Sequence, residues 1–399
     1  MTLVADQQAP VGVRRLTAPD LDIGPLPRLH LDELIAVVEE AGLTGRGGAG
    51  FPTARKLHAL RTAGRAPVVV GNAMEGEHLS RKDALLLESA PRLLVDGLDI
   101  LGDALGARRR ILAVGPGKDS RAVRAAVSRG SRTEVLDLLG GFVSGQESAL
   151  VRRLDGRPGV PADTLVPVYV TGVGGRPTLV VNAETLAQLA LLARFGAAWF
   201  RSQGTPEDPG TFLATLTGSS PRVVPHPGVV ELARGTPLRD ALSAGSVPVH
   251  EVGAVLVGGY HGAWLPSTAI DVPLSRGGLA PFGASPGAGV LHVLDRAHCP
   301  LVASASIAGY LAQESAGQCG PCVNGLPRMA DTLTRLAGLH ADRRLVTEVE
   351  RLRALVTGRG ACAHPDGTAR FVASTMRTFG PHVDAHLAGL CPANEVGHG

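Results

Sequence analysis

Five glycines in nine residues, Gly42, Gly45, Gly47, Gly48 and Gly50, constrain this chain more than any other stretch. Helix and strand interiors both disfavour such a run, so the backbone here is a loop with easy access to positive φ. Having few Cβ atoms, it can turn N–H groups onto a phosphate and let a flat ring lie against bare main chain. Arg46 and Lys56 bracket it with positive charge, and Phe51 adds a ring face. The spacing is neither a Walker loop, which needs Gly-Lys-Ser/Thr, nor a Rossmann fingerprint, which needs a strand directly before it. A plain glycine linker is the competing reading. Linkers are polar and serine-rich, whereas this stretch holds Phe51 and Pro52 and follows an amphipathic helix.

That helix is read from Leu31, Leu34, Ile35 and Val38, spaced i, i+3, i+4 and i+7, with Gly42 as its stop. Residues 67–72 form a continuous apolar run closed by turn residues, as a buried strand does, and Asn72, Glu75 and Glu77 stand at its end. Ligand sites of α/β sheets lie at such strand ends. Helices are expected at about 80–89, 91–106 and 118–129, with strands at 110–114 and 133–136. Ser144 is expected to cap a further helix with Glu147 at its third position. Asn182 precedes a long apolar helix ending near Phe200. This alternation is an α/β signature. A polar stretch at 202–210 reads as a linker, 211–295 as short strands with one brief helix near 237–242, and the chain from 303 onward as helical. The expected divisions are an extended arm at 1–27, an α/β domain at 28–205, a β-rich domain at 206–300 and a helical domain at 301–399.

A formal charge of +3 over 399 residues is close to balanced and excludes a polyanion-binding surface as the main function. Only three of the 39 basic residues are lysine, so Lys56 beside the glycine loop stands out. No apolar run approaches the roughly 18 residues of a membrane span, and the first thirty residues show no targeting pattern. Five cysteines, an odd number, argue for a reducing compartment, and a soluble cytoplasmic protein is expected. Cys319-Gly-Pro-Cys322 opens a helical run, and Cys362 and His364 follow about forty residues later. Without a βαβ context a redox dithiol is the weaker reading. Thiolate ligation of an iron–sulfur cluster or of zinc is the stronger, with three unconnected thiols as the bland alternative. Cys299 and Cys391 lie far from this motif and read as ordinary thiols.

Taken together, the motifs around Gly45–Thr53, Asn72–Glu77, Gly145–Leu150, Gly175–Thr178, Asn182–Thr185 and Glu314–Cys322 resemble the NADH- and FMN-binding flavoprotein subunit of respiratory complex I. Relatives of that subunit occur in NAD-dependent formate dehydrogenases and hydrogenases. The resemblance covers about residues 30–390. It implies an α/β flavin/NADH-binding domain, a β-grasp domain of the soluble-ligand-binding type and a C-terminal helical bundle carrying a 4Fe–4S cluster. Gly45, Arg46, Gly47, Gly48 and Gly50 would cradle FMN, with Lys56 near the flavin and Phe51 stacking in the nucleotide cleft. Asn72 would hydrogen-bond the flavin and Glu77 the NADH ribose. Gly145, Gln146 and Glu147 would line the cleft, and Asn182 and Thr185 would hold the FMN phosphate end. Cys319, Cys322 and Cys362 would ligate the cluster.

The sequence departs from the family pattern at several of these positions. Phe142 replaces the usual Tyr, Pro167 or Tyr169 stands near where an adenine-stacking Phe is expected, and Gln146 replaces the first Glu of a Gly-Glu-Glu run. Met74 replaces Asp, so with Gln146 the pocket would be less negative by two units and the flavin potential higher. Ala316 takes the place of the first cluster cysteine, leaving His364 as the local candidate donor, with a structural role for that histidine as the favoured reading. The resemblance thus implies an NADH dehydrogenase that passes electrons to a cluster and on to a ferredoxin-like or membrane-associated partner. The alternative is a non-catalytic homologue acting as an interaction or assembly subunit.

Overall fold

The computed structural model describes residues 13–18, 23–127, 131–162 and 166–393. They fall into two compact units, one running up to Ala214 with Val229–Thr236, the other comprising Thr215–Gly228 and the chain from Pro237. In the first unit the elements are α1 (Leu31–Ala41), α2 (Thr53–Arg61), β1 (Val68–Ala73), α3 (Lys82–Ser89), α4 (Pro91–Ala104) and β2 (Arg109–Val114). They continue through α5 (Arg121–Ala126), β3 (Thr133–Asp137), α6 (Glu147–Leu154), β4 (Thr178–Asn182) and α7 (Ala183–Arg201). The strands form one parallel sheet in the order β3-β2-β1-β4. Its apolar runs are buried on both faces. Val69, Leu112 and Val181 join Leu94, Leu98, Leu186 and Leu189 of α4 and α7, whereas Val68, Val70, Ile111 and Val180 face Leu150 and Val151 of α6. This two-face burial is why the strands read as continuous apolar runs. A Cβ at Gly97 would lie 2.4 Å from the Leu186 carbonyl oxygen, so glycine there lets α4 and α7 touch by their backbones.

Several local expectations are met and one is not. Leu34, Ile35 and Val38 are buried on α1, and Gly42 ends that helix at φ 68°. Ser144 does not cap a helix. It lies in a 3-10 turn, Phe142–Gly145, and gives its hydroxyl to the Gly141 carbonyl, while α6 starts at Glu147 behind Gln146. Of the arm expected over 1–27, residues 1–12 and 19–22 lie outside the described residues. Within the described part, the N–H groups of Arg15, Leu16 and Thr17 all donate to the Glu231 carboxylate at 2.8, 2.8 and 3.3 Å. Burial raises the pKa of that carboxyl, and the N–H donors pull against it.

Downstream come β5 (Thr211–Gly218), β6 (Gly228–Ala233), α8 (Leu238–Ser243), β7 (Val252–Val257), β8 (Ala263–Pro266), α9 (Arg276–Leu279) and β9 (Val290–Asp295). The helices α10 (Pro300–Gln313), α11 (Leu326–Ala337), α12 (Arg344–Val356), α13 (His364–Thr378) and α14 (Gly380–Leu387) follow. The second sheet has the order β6-β5-β9-β7-β8, with β9 parallel to β5 and antiparallel to β7. Counted within the sheet, that is 2-1-5-3-4 with a helix after the second strand, which is the β-grasp topology. Trp264 of β8 is fully buried against Phe371 and Phe379, at 6.5 and 5.5 Å between ring centroids, and its indole donates to Ser304 of α10 at 3.1 Å. Sheet and bundle therefore share a core in this unit. Among the described residues, no helix is long and apolar enough to cross a membrane.

His292 of β9 contacts the Thr217 hydroxyl at 3.0 Å, and burial pushes its pKa down to about 4. The folded protein thus keeps this ring neutral where an unfolded chain binds a proton. Its contribution is complete above about pH 6.5 and is lost as the pH falls toward about 4. Urea unfolding across that range should show His292→Gln to be less acid-sensitive than the parent, by about 3 kcal/mol at the acid end.

Candidate functional site

In the sheet order β3-β2-β1-β4, the crossovers β1→β2→β3 step outward on one side and the β3→β4 connection returns to the other side of β1, so the switch point lies between β1 and β4. Asn72 and Asn182 pair across that boundary at the carboxyl ends of the two strands. Crevices at such points accept ligands because diverging connections leave the strand ends uncovered. Asn182 also caps α7, its side chain accepting from the Glu184 N–H at 3.0 Å.

The glycine loop closes over this point. Thr44 and Pro52 form an isolated bridge, and the Gly45 N–H donates to the Phe51 carbonyl at 2.8 Å. The Arg46 N–H donates to the Thr185 hydroxyl at 2.8 Å, and a Cβ at Gly47 would lie 3.4 Å from the Asn182 Cβ. Gly48 and Gly50 take φ of 107° and 57°, values that L side chains rarely adopt. Phe51 stands 44% exposed with the Arg55 guanidinium 5.5 Å from its ring centroid.

Two further segments complete the crevice. The Asn72 amide donates to the Gly145 carbonyl at 2.7 Å. A Cβ at Gly76 would lie 2.2 Å from the Phe142 carbonyl, so residues 72–77 and 142–147 run against each other. Lys56 pairs with Glu147 and also donates to the Val180 carbonyl at 3.1 Å. Both side chains of that pair are partly exposed, so it marks a mouth rather than a core. Gln146 accepts from the Ser148 hydroxyl at 3.0 Å. Glu77 accepts from the Leu79 N–H at 3.5 Å and lies beside the Gly76–Phe142 contact. Gly45, Arg46, Gly47, Gly48, Gly50, Lys56, Asn72, Gly145, Glu147, Asn182 and Thr185 are thus gathered around one strand-end crevice. Tyr169 is exposed, 41%.

Met74 does not behave as expected. Its side chain is 2% exposed and belongs to the apolar cluster of Val70, Ile111, Leu150 and Val180. Methionine here adds to the core, so only the Gln146 exchange bears on the charge of the crevice.

The thiols of the second unit form a different arrangement. Cys319 and Cys322 are 3.7 Å apart at sulfur, Cys319 just before and Cys322 within a π-type turn at Pro321–Gly325. Cys319 accepts from the Ala361 and Cys322 N–H groups, Cys322 from the Gly317 N–H, and Cys362 from the His364 N–H. Burial opposes ionisation at Cys319, but those donors bring it below the ordinary thiol value, whereas burial pushes Cys322 up to about 11. Three sulfurs served by main-chain donors suit a multi-iron cluster, whose ligands attach to separate irons. Ala316 offers no donor. His364 is 4% exposed and its ring nitrogens engage the Leu311 carbonyl at 2.8 Å and His261 at 3.1 Å. It is a core histidine and does not replace the missing cysteine.

Two family models match the chain, the Nuo51 FMN-binding domain over residues 38–191 and the NADH-ubiquinone oxidoreductase-F iron-sulfur binding region over 302–386. The NADH-quinone oxidoreductase F subunit of Streptomyces coelicolor is 32% identical over 396 residues, covering 90% of this chain and 84% of its own. The chain belongs to the F-subunit family of NADH-quinone oxidoreductases. A Rhizobium meliloti member, the F subunit numbered 2 in that organism, is 29% identical, covering 89% of each chain. A solved NAD+-reducing NiFe-hydrogenase in the H2-reduced state superposes with TM-score 0.80 at 30% identity over 91% of this chain; that match spans 63% of the hydrogenase chain. The strand-end crevice lies within the FMN-binding match, and Cys319, Cys322 and Cys362 lie within the iron–sulfur match.

Sequence reasoning missed the charged residues beneath the crevice. Lys82 is buried and reaches Asn182 at 3.0 Å, Asp83 at 3.1 Å and Glu184 at 3.1 Å. Burial pulls its ammonium down, but Asp83, Glu184 and Glu75 together carry it above the ordinary amine value. Glu75 sits at φ 44° and accepts from the Ser80 hydroxyl and the Asp83 N–H, both at 2.8 Å. The rarity of lysine in this chain was the available signal. Lys82→Met should cost about 3–5 kcal/mol of stability in urea unfolding, since it leaves Asp83 and Glu184 buried without a cation.

Proposed function

We propose that the chain oxidises NADH at an FMN held in the strand-end crevice and passes the electrons singly to an iron–sulfur centre and a partner redox protein. The observation that carries the reading is the hydrogen-bonded convergence of the glycine loop, Asn72, Gly145, Glu147, Asn182 and Thr185 at the β1/β4 switch point. The residues fit a phosphorylated planar cofactor. The glycine loop, with Gly48 and Gly50 at positive φ, presents main chain without side chains to a ring, and the α7 N-terminus with Asn182 and Thr185 suits a phosphate. FMN, when bound, supplies a hydride acceptor that can release electrons one at a time.

The protein's own part is positioning. Lys56 and Glu147 brace the mouth, Phe51 offers an exposed face for a nicotinamide or adenine ring, and Gln146 lies beside them. Glu77 bonds the ribose hydroxyls and repels a 2′-phosphate, which favours NADH over NADPH. Cys319, Cys322 and Cys362 would hold a 4Fe–4S cluster with one iron lacking a protein thiolate. The partner is a ferredoxin-like protein or a membrane-associated oxidoreductase subunit, and the site of action is the cytoplasm. The chain would work as a flavin/NADH domain at 28–205, a β-grasp domain at 206–300 and an iron–sulfur domain at 301–399, preceded by the arm at 1–27.

Anaerobic NADH titration of the purified protein should bleach a flavin absorption band. Gly48→Val puts a β-branched residue at φ 107° and should purify with little flavin. Glu147→Ala should retain the flavin and require about tenfold more NADH for half-bleaching, a loss of about 1.4 kcal/mol. A colourless parent, or an equally yellow Gly48→Val variant, would remove the assignment of the crevice.

For the second unit, low-temperature EPR with iron and sulfide analysis should find an oxygen-labile centre that converts readily to a three-iron form. Ala316→Cys should slow that conversion. Iron absent from both proteins under anaerobic conditions would leave the three thiols without a cluster.

A further inference from the structure

Cys299 and Cys391 are distant in sequence, yet α10 and the turn after α14 bring them together. Cys299 is the N-cap residue of the 14-residue α10, its side chain makes no cap hydrogen bond, and its sulfur faces Cys391. His386, on α14 and 1% exposed, stands between them with Nε2 3.4 Å from the Cys299 sulfur. One ligand atom from each of Cys299, His386 and Cys391 lies within 4.8 Å of the others.

The histidine is oriented for ligation. Its Nδ1 lies 3.2 Å from the Leu336 carbonyl, which can only accept, so Nδ1 carries the proton and the Nε2 lone pair faces the sulfurs. A second hydrogen bond of this kind is what fixes the tautomer of metal-bound histidines. Burial raises the Cys299 thiol above its ordinary value and Cys391 adds to this, so it is a bound metal that would bring out the thiolate. Two thiolates and one neutral imidazole match the charge and softness of a divalent borderline metal.

We infer that Cys299, His386 and Cys391 form a zinc site, separate from the Cys319–Cys322–Cys362 thiols. Binding releases the two thiol protons to solvent and leaves the sulfurs as ligands, with water in the fourth tetrahedral position. Both cysteines are partly exposed, so that position opens to solvent. The metal would tie the start of α10 to α14 and the segment behind it, linking the first and last helices of the bundle.

The test uses the full chain, purified under reductant without a metal-affinity step, with zinc measured by mass spectrometry and cobalt(II) as the optical probe. The parent should carry stoichiometric zinc, and its apo form should give a thiolate-to-cobalt charge-transfer band. Cys391→Ser, chosen because this residue is half-buried, should lose the band and weaken zinc affinity by roughly 100-fold or more. Cys299→Ser should do the same while circular dichroism stays native. Cys319→Ser should keep both zinc and band, which separates this site from the cluster thiols. No zinc and no cobalt band in the parent, zinc retained by Cys391→Ser, or zinc lost in Cys319→Ser instead would each overturn the proposal. A Cys299–Cys391 disulfide that persists under reductant would also overturn it.

Discussion

A buried ammonium holds the carboxyl ends of β1 and β4 together. Lys82 reaches Asn182, Asp83 and Glu184 at once, and through Asn182 it meets the residue on which Gly47 rests. Glu184 in turn accepts the Leu213 N–H at 2.9 Å, and Asn182 donates toward the Asn72 carbonyl at 3.5 Å. Buried ion pairs of this kind roughly break even against apolar packing, so stability alone does not account for the network. What it adds is position. An apolar side chain at 82 could fill the volume, but it could not fix the amide of Asn182 at the floor of a polar crevice. Lys118, 3.8 Å from Glu75, extends the same network to the chain after β2.

The parts of the sequence that speak clearly are those where one physical rule acts alone. Continuous apolar runs at 68–70 and 111–114 mark strands covered on both faces, and the glycines mark a loop that no helix or strand tolerates. Position 74 misleads because the resemblance sets an Asp of the flavin pocket there. Its backbone instead turns the side chain under the sheet. Ser144 carries a capping pattern, but its hydroxyl finds the Gly141 carbonyl first and a 3-10 turn takes the place of the helical turn.

Charged residues on helices are harder still, because a Lys-Asp pair at 82–83 looks in sequence like any solvated helix start. Only the fold shows that α3 points this pair inward, to Asn182 and Glu184. Cys299, His386 and Cys391 are illegible for a different reason. Their contact is set by how α10 and α14 pack, and a separation of 87 residues between Cys299 and His386 carries no spacing signal. Local motifs report sites built on one turn or one strand end, whereas sites closed by tertiary packing leave no such trace.

The same distinction governs the cysteine-poor cluster site. His364 is near Cys362 in sequence, which makes it the natural substitute for the cysteine absent at 316. To serve as a ligand through Nδ1 it would have to give up His261, which is engaged in the interior, while Nε2 kept the Leu311 carbonyl. Leaving that buried ring nitrogen of His261 unpaired costs about 1–3 kcal/mol. Burial and the neighbouring His364 charge also press His261 down to about 3, so that pair has no spare proton with which to repair the loss. Proximity in sequence therefore works against ligation here. The helix that brings His364 close to the thiols also commits its ring to the core. A cluster held by Cys319, Cys322 and Cys362 would then have to find any fourth donor outside this ring.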